Sequence, residues 1–272
     1  MAGRATAAMA ARSWMARVPE PGSNPALGSS LHAAGYLVGS IVFMLAQRLS
    51  RHPLPTGNAR IILLAAALLG GTVGAKLSQW LALGLPTGDT SLPSPFGGGR
   101  TVLGGLLVGW IAVEIAKSRL GIRYSTGMPF ALALTAGEAV GRFGCWFSGC
   151  CGGRACNLPW AAAQDGNTVH PSQLYMALGL IALLGLLLWL RTRLAEEGDL
   201  FLCYLAGYGL LRFTVEATRQ QDGLFAGLSL AQWVCLLFIA AGGAGLYART
   251  RDRRDNLEQH PLQSAAGERA DG

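Results

Sequence analysis

Seven blocks of apolar residues, near 31–47, 61–83, 102–116, 128–147, 174–190, 200–217 and 228–246, constrain this chain more than any other feature. A helix needs about 17–25 mostly apolar residues to cross the hydrocarbon core of a bilayer. The third block is short, but flanking glycines can extend it. Several blocks are apolar on every face, whereas a soluble surface helix carries a single apolar stripe. Only 14% of residues are charged, against 51% hydrophobic, and the 38 glycines suit helices whose backbones approach closely in lipid. The expected fold class is therefore all-α, a polytopic transmembrane helical bundle with about seven spanning helices. The expected organisation is an N-terminal segment 1–30, a seven-helix domain 31–248 and a polar, disordered cytoplasmic tail 249–272.

The net charge of +7 is distributed for a membrane and not for nucleic acid. Arg48, Arg51 and Arg60 follow the first block, and Lys117, Arg119 and Arg123 follow the third. Arg191 and Arg193 follow the fifth, and Arg249, Arg251, Arg253, Arg254 and Arg269 follow the seventh. The alternate loops each hold a single basic residue: Arg100, Arg154 and Arg219. The positive-inside rule then places the C-terminus in the cytoplasm and the N-terminus outside, with Arg4, Arg12 and Arg17 pulling the other way. Trp80, Trp160, Trp189 and Tyr247 fall near predicted boundaries, as an aromatic belt requires. The first thirty residues lack the apolar core of a secretory signal, so the first span is expected to direct insertion. No internal repeat of the kind that builds inverted-repeat transporters is evident.

Charges at membrane depth are costly and mark function. Here they are Lys76, Glu138, Arg142, Arg212 and Glu216, with Arg219 just beyond the sixth block; Glu114 is close enough to an end to reach water. Tyr208, Arg212, Glu216 and Arg219 follow one another at helical spacing and share one face of about 80°. Arg142 and Arg212 both approach the outer ends of their helices, with Lys76 in the outer half of the second. Two arginines facing one cavity repel unless an anion sits between them, and guanidinium binds phosphate bidentately, so a phospholipid headgroup is the natural ligand. The plainer alternative is a pair of structural i,i+4 ion pairs, Glu138–Arg142 and Arg212–Glu216.

Four of the six cysteines, Cys145, Cys150, Cys151 and Cys156, fall in one outward-facing stretch. Their spacing does not match the usual paired zinc pattern, and an oxidising exterior favours a disulfide; free thiols and metal or redox chemistry stay open. No metal and no cofactor is expected. Cys203 and Cys235 read as small core residues. His170-Pro171-Ser172-Gln173-Leu174-Tyr175 opens the fifth helix and places His170 at the outer interface.

These segments together resemble the prolipoprotein diacylglyceryl transferase family over roughly residues 25–248. That family's HPSQLY run is matched at all six positions by His170–Tyr175, and its late Tyr/Arg/Glu/Arg segment with an acidic turn by Tyr208, Arg212, Glu216, Arg219 and Asp222. Its Gly-Arg-x-Gly-Asn-Phe-x-Asn-x-Glu signature is met in part by the stretch from Gly141-Arg142-Phe143-Gly144 to Cys150. Leu228-Ser229-Leu230-Ala231-Gln232 resembles a further segment, and Gly104-Gly105 and Gly74-Ala75-Lys76 are weaker echoes. The chain departs from the pattern at Leu103, where the family has His, at Cys145 and Ser148, where it has Asn, at Cys150, where it has Glu, and at Ala34, where it has Tyr.

The resemblance implies a bacterial inner-membrane, multi-pass transferase. It would move a diacylglyceryl group from phosphatidylglycerol to the cysteine thiol of an exported prolipoprotein. It implies catalytic roles for Arg142, Arg212 and Tyr208, and headgroup binding by Arg142, Arg212, Arg219, Glu216, His170 and Lys76. The expected partners are phosphatidylglycerol, the prolipoprotein and the bilayer, without nucleic acid. The alternatives are a divergent paralogue that binds a phospholipid but serves another acceptor, and a membrane thiol–disulfide protein using the Cys145–Cys156 cluster.

Overall fold

A computed structural model describes residues 19–87, 101–164, 166–194, 196–219 and 225–270, with backbone alone for 82–87 and 256–270. Arg4, Arg12, Arg17, Arg100 and Asp222 lie outside the described residues. Seven helices are present among the described residues: α1 Pro25–Leu49, α2 Asn58–Thr87, α3 Val102–Arg119, α4 Gly127–Phe147, α5 Ser172–Arg191, α6 Glu197–Glu216 and α7 Leu230–Ala270. Each apolar block thus became one helix, and the bundle is all-α apart from a small hairpin. That hairpin, absent from the sequence reading, pairs β1 Ala162–Gln164 antiparallel with β2 Asn167–Val169 in the loop between α4 and α5. Four helices, Pro25–Leu49, Asn58–Leu81, Ser172–Arg191 and Leu230–Asp255, are long and apolar enough to cross a membrane. Their exposed faces carry Tyr36, Leu37, Leu68, Leu69, Leu178, Trp189 and Leu237, an apolar exterior suited to lipid contact.

Helix limits follow local chemistry. α1 begins earlier than its apolar block because Asn24 Oδ1 accepts the Leu27 N–H at 3.0 Å, with Pro25 in the first turn. Ser229 and Gln232 form a reciprocal capping box at the start of α7: the Gln232 N–H donates to Ser229 Oγ, and the Ser229 N–H to Gln232 Oε1. At its other end α7 runs past the last apolar block into the polar tail. There Arg249 and Arg253 return to the buried Asp199 carboxylate in the first turn of α6.

Packing is governed by glycine. α1 lies on α4 so closely that a Cβ at Gly35 would stand 2.7 Å from the Gly137 carbonyl oxygen, and one at Gly137 2.8 Å from that of Gly35. The same device joins α2 to α3, where a Cβ at Gly74 would meet the Gly104 carbonyl. Such small-residue stripes replace the hydrophobic driving force that lipid cannot supply. The main core is built around α4, α5, α6 and α7, with Met128, Met176, Leu180, Leu205, Tyr204, Tyr208 and Phe238 inside it. Leu103, at the family's His position, is buried in this core too.

Gly35→Leu is expected to destabilise the protein by about 1–3 kcal/mol or more through overpacking. Gly185→Ala, at a helical glycine facing open space, is expected to be neutral or slightly stabilising. Thermal unfolding of both variants in one detergent checks this; equal effects would remove the close approach as the organising contact.

Candidate functional site

The polar centre is assembled on α4 and α6. Glu138 and Arg142 stand one turn apart on α4, and the guanidinium donates from Nε (3.1 Å) and from a terminal nitrogen to the same carboxylate oxygen, Glu138 Oε1. That oxygen also accepts from the Tyr208 hydroxyl of α6 at 3.2 Å. Tyr208 is fully buried, and Arg142 is only 9% exposed. One turn beyond Tyr208 is Arg212, which pairs with Glu216 a turn further on. Arg219, in the turn after α6, reaches the same Glu216 carboxylate at 3.9 Å. Ser229 Oγ, from the α7 cap, approaches its other oxygen at 3.5 Å.

Both structural ion pairs weighed in the sequence are therefore present, and they do not exclude a ligand. A guanidinium has five N–H donors, and Arg142 spends two on Glu138. Arg142 and Arg212 both lie within electrostatic reach of the Tyr208 hydroxyl. Lys76 is placed differently: it stands on α2, whose packing partner is α3 rather than α4 or α6.

The HPSQLY run clamps the connection between α4 and α5 to the end of α6. The buried Gln173 amide donates to the Cys150 carbonyl at 2.8 Å, and Gln164 donates to that of Gly149. Ser172 and Thr218 share a hydroxyl hydrogen bond of 2.7 Å, and the Arg154 N–H donates to the Thr218 carbonyl, tying the loop to the end of α6. The Tyr175 hydroxyl accepts from Trp160 Nε1 at 2.7 Å. His170 exchanges backbone hydrogen bonds with Arg154 and Gly153, while its ring Nδ1 is buried without a hydrogen bond. Gly153 is required there, since a Cβ would stand 2.5 Å from that of His170. Gln173, Thr218 and Ser229 are the polar contributors that the sequence reading did not single out. Ser229 lies in the Leu228–Gln232 segment that resembles the family, and the S-x-x-Q spacing there marks it as the α7 cap.

All six cysteines are free thiols, so no disulfide joins Cys145, Cys150, Cys151 and Cys156. The sulfurs of Cys145, Cys150 and Cys151 lie within 4.8 Å of one another. Cys156 instead pairs its backbone with Thr168 of the hairpin. The Cys151 thiol is held well below the ordinary thiol range by hydrogen bonding with Cys145 and Cys150, with Arg219 and Arg142 adding to the effect.

Glu138→Ala would leave Arg142 buried without its carboxylate, and a loss of about 3–5 kcal/mol is expected. Glu138→Gln keeps one acceptor oxygen and should fall between that and the parent. Arg251→Ala, which breaks an exposed pair with Asp255, should change stability by about 0.5 kcal/mol or less. Thermal unfolding of the purified protein checks all three; an unchanged Glu138→Ala would contradict the buried-pair assignment.

The comparison with known proteins agrees with this geometry. A family profile described as prolipoprotein diacylglyceryl transferase matches residues 29–248. The phosphatidylglycerol–prolipoprotein diacylglyceryl transferase of Bordetella parapertussis is 40% identical over 166 residues, 56% of this chain and 62% of that protein. The protein of the same name from Methylobacillus flagellatus is 37% identical over 154 residues, 53% of this chain and 59% of its own length. With these two, the matched stretch is less than two thirds of the relative. With the Aromatoleum aromaticum protein of that name it is longer: 34% identity over 236 residues, 79% of this chain and 89% of the relative. With matching segments that run from α1 to the end of α7's apolar part, and with the arginine pair and the HPSQLY clamp in place, this membrane protein belongs to the prolipoprotein diacylglyceryl transferase family.

Proposed function

We propose that the chain transfers a diacylglyceryl group from phosphatidylglycerol to the cysteine thiol of an exported prolipoprotein. The observation that supports this most is the placement of Arg142 and Arg212 on two packed helices, both within electrostatic reach of Tyr208. In the transfer, the thiolate sulfur forms a bond to the glyceryl carbon. The bond from that carbon to the phosphate oxygen breaks, and its electron pair leaves with glycerol phosphate. The phosphate passes from a singly charged diester toward a doubly charged monoester. A pair of guanidinium groups therefore binds the departing group more strongly than the substrate, which is the condition for lowering a barrier.

The remaining residues hold this pair in place. Glu138 and Glu216 offset the cost of two buried cations and fix their rotamers. Tyr208 spends its proton on Glu138, so its role is to orient the arginine–carboxylate pair. Arg219 stands at the outer end of the same face, where a headgroup would enter, and His170 lines the loop beside it. Leu103 supplies no proton acceptor, so deprotonation of the acceptor thiol does not pass through that position.

The same reading places the protein as a multi-pass component of a bacterial inner membrane. Its N-terminus and the Cys150 loop face outward, and its C-terminus faces the cytoplasm. The basic residues at one end of the bundle support this orientation. Arg191 donates there to the Leu49 carbonyl, Arg193 lies 5.4 Å from the Trp189 ring, and Arg249 and Arg253 gather on Asp199. Reporter fusions after residue 255 and in the Cys150 loop should report the cytoplasm and the exterior respectively; an exported C-terminal reporter would reverse the topology.

Transfer to a prolipoprotein peptide in vesicles containing phosphatidylglycerol is the functional test. Arg142→Lys and Arg212→Lys keep charge but lose the bidentate fork, and each should lower the rate by roughly tenfold to a hundredfold. Arg119→Ala, at an exposed position on the opposite side, should leave it near that of the parent. A parent protein without transfer activity, or an Arg119→Ala loss as large as that of Arg142→Lys, would contradict the proposal.

A further inference from the structure

The transfer proposed above assigns no role to the cysteine cluster, whose geometry is built from the backbone upward. α4 ends in a Schellman motif. Gly149 has a left-handed φ of 69°, its N–H donates to the Trp146 carbonyl at 3.1 Å, and the Cys150 N–H donates to the Cys145 carbonyl at 3.1 Å. In that motif the residue two beyond the cap folds over the third residue from the helix end, so their side chains meet. Here those residues are Cys150 and Cys145. Cys151 follows with φ 63°, a conformation uncommon for a residue with a Cβ, and its sulfur joins the other two within 4.8 Å. The Gln173 and Gln164 amides hold this turn by the Cys150 and Gly149 carbonyls.

A fourth group approaches from α1, in contact with Cys145 but outside the 4.8 Å cluster of the three sulfurs. His32 Nε2 lies 3.5 Å from Cys145 Sγ, and His32 Nδ1 lies 2.8 Å from the Gly28 carbonyl oxygen. A carbonyl only accepts, so Nδ1 carries the proton and Nε2 presents its lone pair to the sulfur. A backbone carbonyl on the second ring nitrogen is the usual support of a metal-ligating histidine. Gly144 permits the approach, since a Cβ there would stand 2.9 Å from the His32 ring.

We propose that Cys145, Cys150 and Cys151, with His32 as fourth ligand, bind one zinc ion that fastens α1 to the end of α4. Zinc takes about 2.3 Å bonds to sulfur in a tetrahedron, which sets neighbouring sulfurs about 3.8 Å apart, a contraction of about 1 Å or less from the span seen here. A disulfide between any two of these thiols leaves the third and His32 unused, whereas a Cys3His site uses all four. Three thiolates on Zn2+ leave one net negative charge, within electrostatic reach of the Arg219 and Arg142 guanidinium groups.

The test is zinc content of the full-length protein, purified in detergent with a thiol reductant present. About one zinc per chain is expected, falling to near zero in the Cys145→Ser/Cys151→Ser double variant and unchanged in Cys203→Ser. His32→Ala removes a ligand outright and should hold zinc at least about a hundredfold more weakly against a chelator, beyond the cost of losing an outer-shell support. Because a variant can fail to fold, cobalt(II) is also added to the zinc-stripped parent. Visible bands of a tetrahedral ion and near-ultraviolet thiolate charge transfer are expected there. A parent that carries no zinc and gives no such spectrum, or peptide mass spectrometry showing a Cys145–Cys150 or Cys145–Cys151 disulfide in protein taken from the membrane, would overturn the proposal. These readouts do not depend on lipid transfer, so loss of one reading leaves the other standing.

Discussion

The structure depends on how it keeps an arginine charged within an apolar bundle. An isolated guanidinium there would cost several kcal/mol, and only a carboxylate with good geometry offsets that. Glu138 supplies it from the preceding turn, and the oxygen that receives Arg142 also receives the Tyr208 hydroxyl from α6. One atom thus neutralises a charge and fixes the register between two helices. That register sets Arg142 one turn past Glu138 on α4 and Arg212 one turn past Tyr208 on α6. The second carboxylate, Glu216, repeats the arrangement for Arg212 and ties in Arg219 and the cap of α7.

Around this centre the packing follows from lipid being no worse a solvent for leucine than a protein core. Helices are drawn together where backbones can touch, so the glycine contacts of α1 with α4 and of α2 with α3 carry the association. Where α4 and α6 end, polar side chains hold the loops. Gln173 and Gln164 hold the turn after α4, and Ser172 and Thr218 hold the end of α6. The HPSQLY run therefore serves the site mainly as a clamp on loops, with Gln173 and Ser172 as its working members.

Much of this was legible in the sequence because the bilayer imposes length and hydropathy on a spanning helix. Each apolar block became a helix, and the face of Tyr208, Arg212, Glu216 and Arg219 follows from a period of 3.6. What stayed hidden depends on contacts distant in the chain. The meeting of Tyr208 with Glu138, 70 residues apart, has no local signature, nor does the packing of α2, which carries Lys76, on α3. The short hairpin is too small to show an alternating pattern. The cysteine spacing was read against paired zinc motifs, whereas the glycine before Cys150 marks a helix-ending turn that folds one cysteine over the other. Asn24 set the start of α1 through a single capping bond that hydropathy does not register.

The central claim is that Arg142 and Arg212 hold one phosphate between them. Direct measurement of phosphatidylglycerol binding to the parent protein, Arg142→Lys, Arg212→Lys and the double variant, in one detergent, tests it without reference to turnover. Groups that share a ligand are coupled, so the double variant should lose less affinity than the two singles combined, by roughly 0.5–3 kcal/mol. Strictly additive losses, or unchanged affinity in either single variant, would mean that the two ion pairs serve the fold alone.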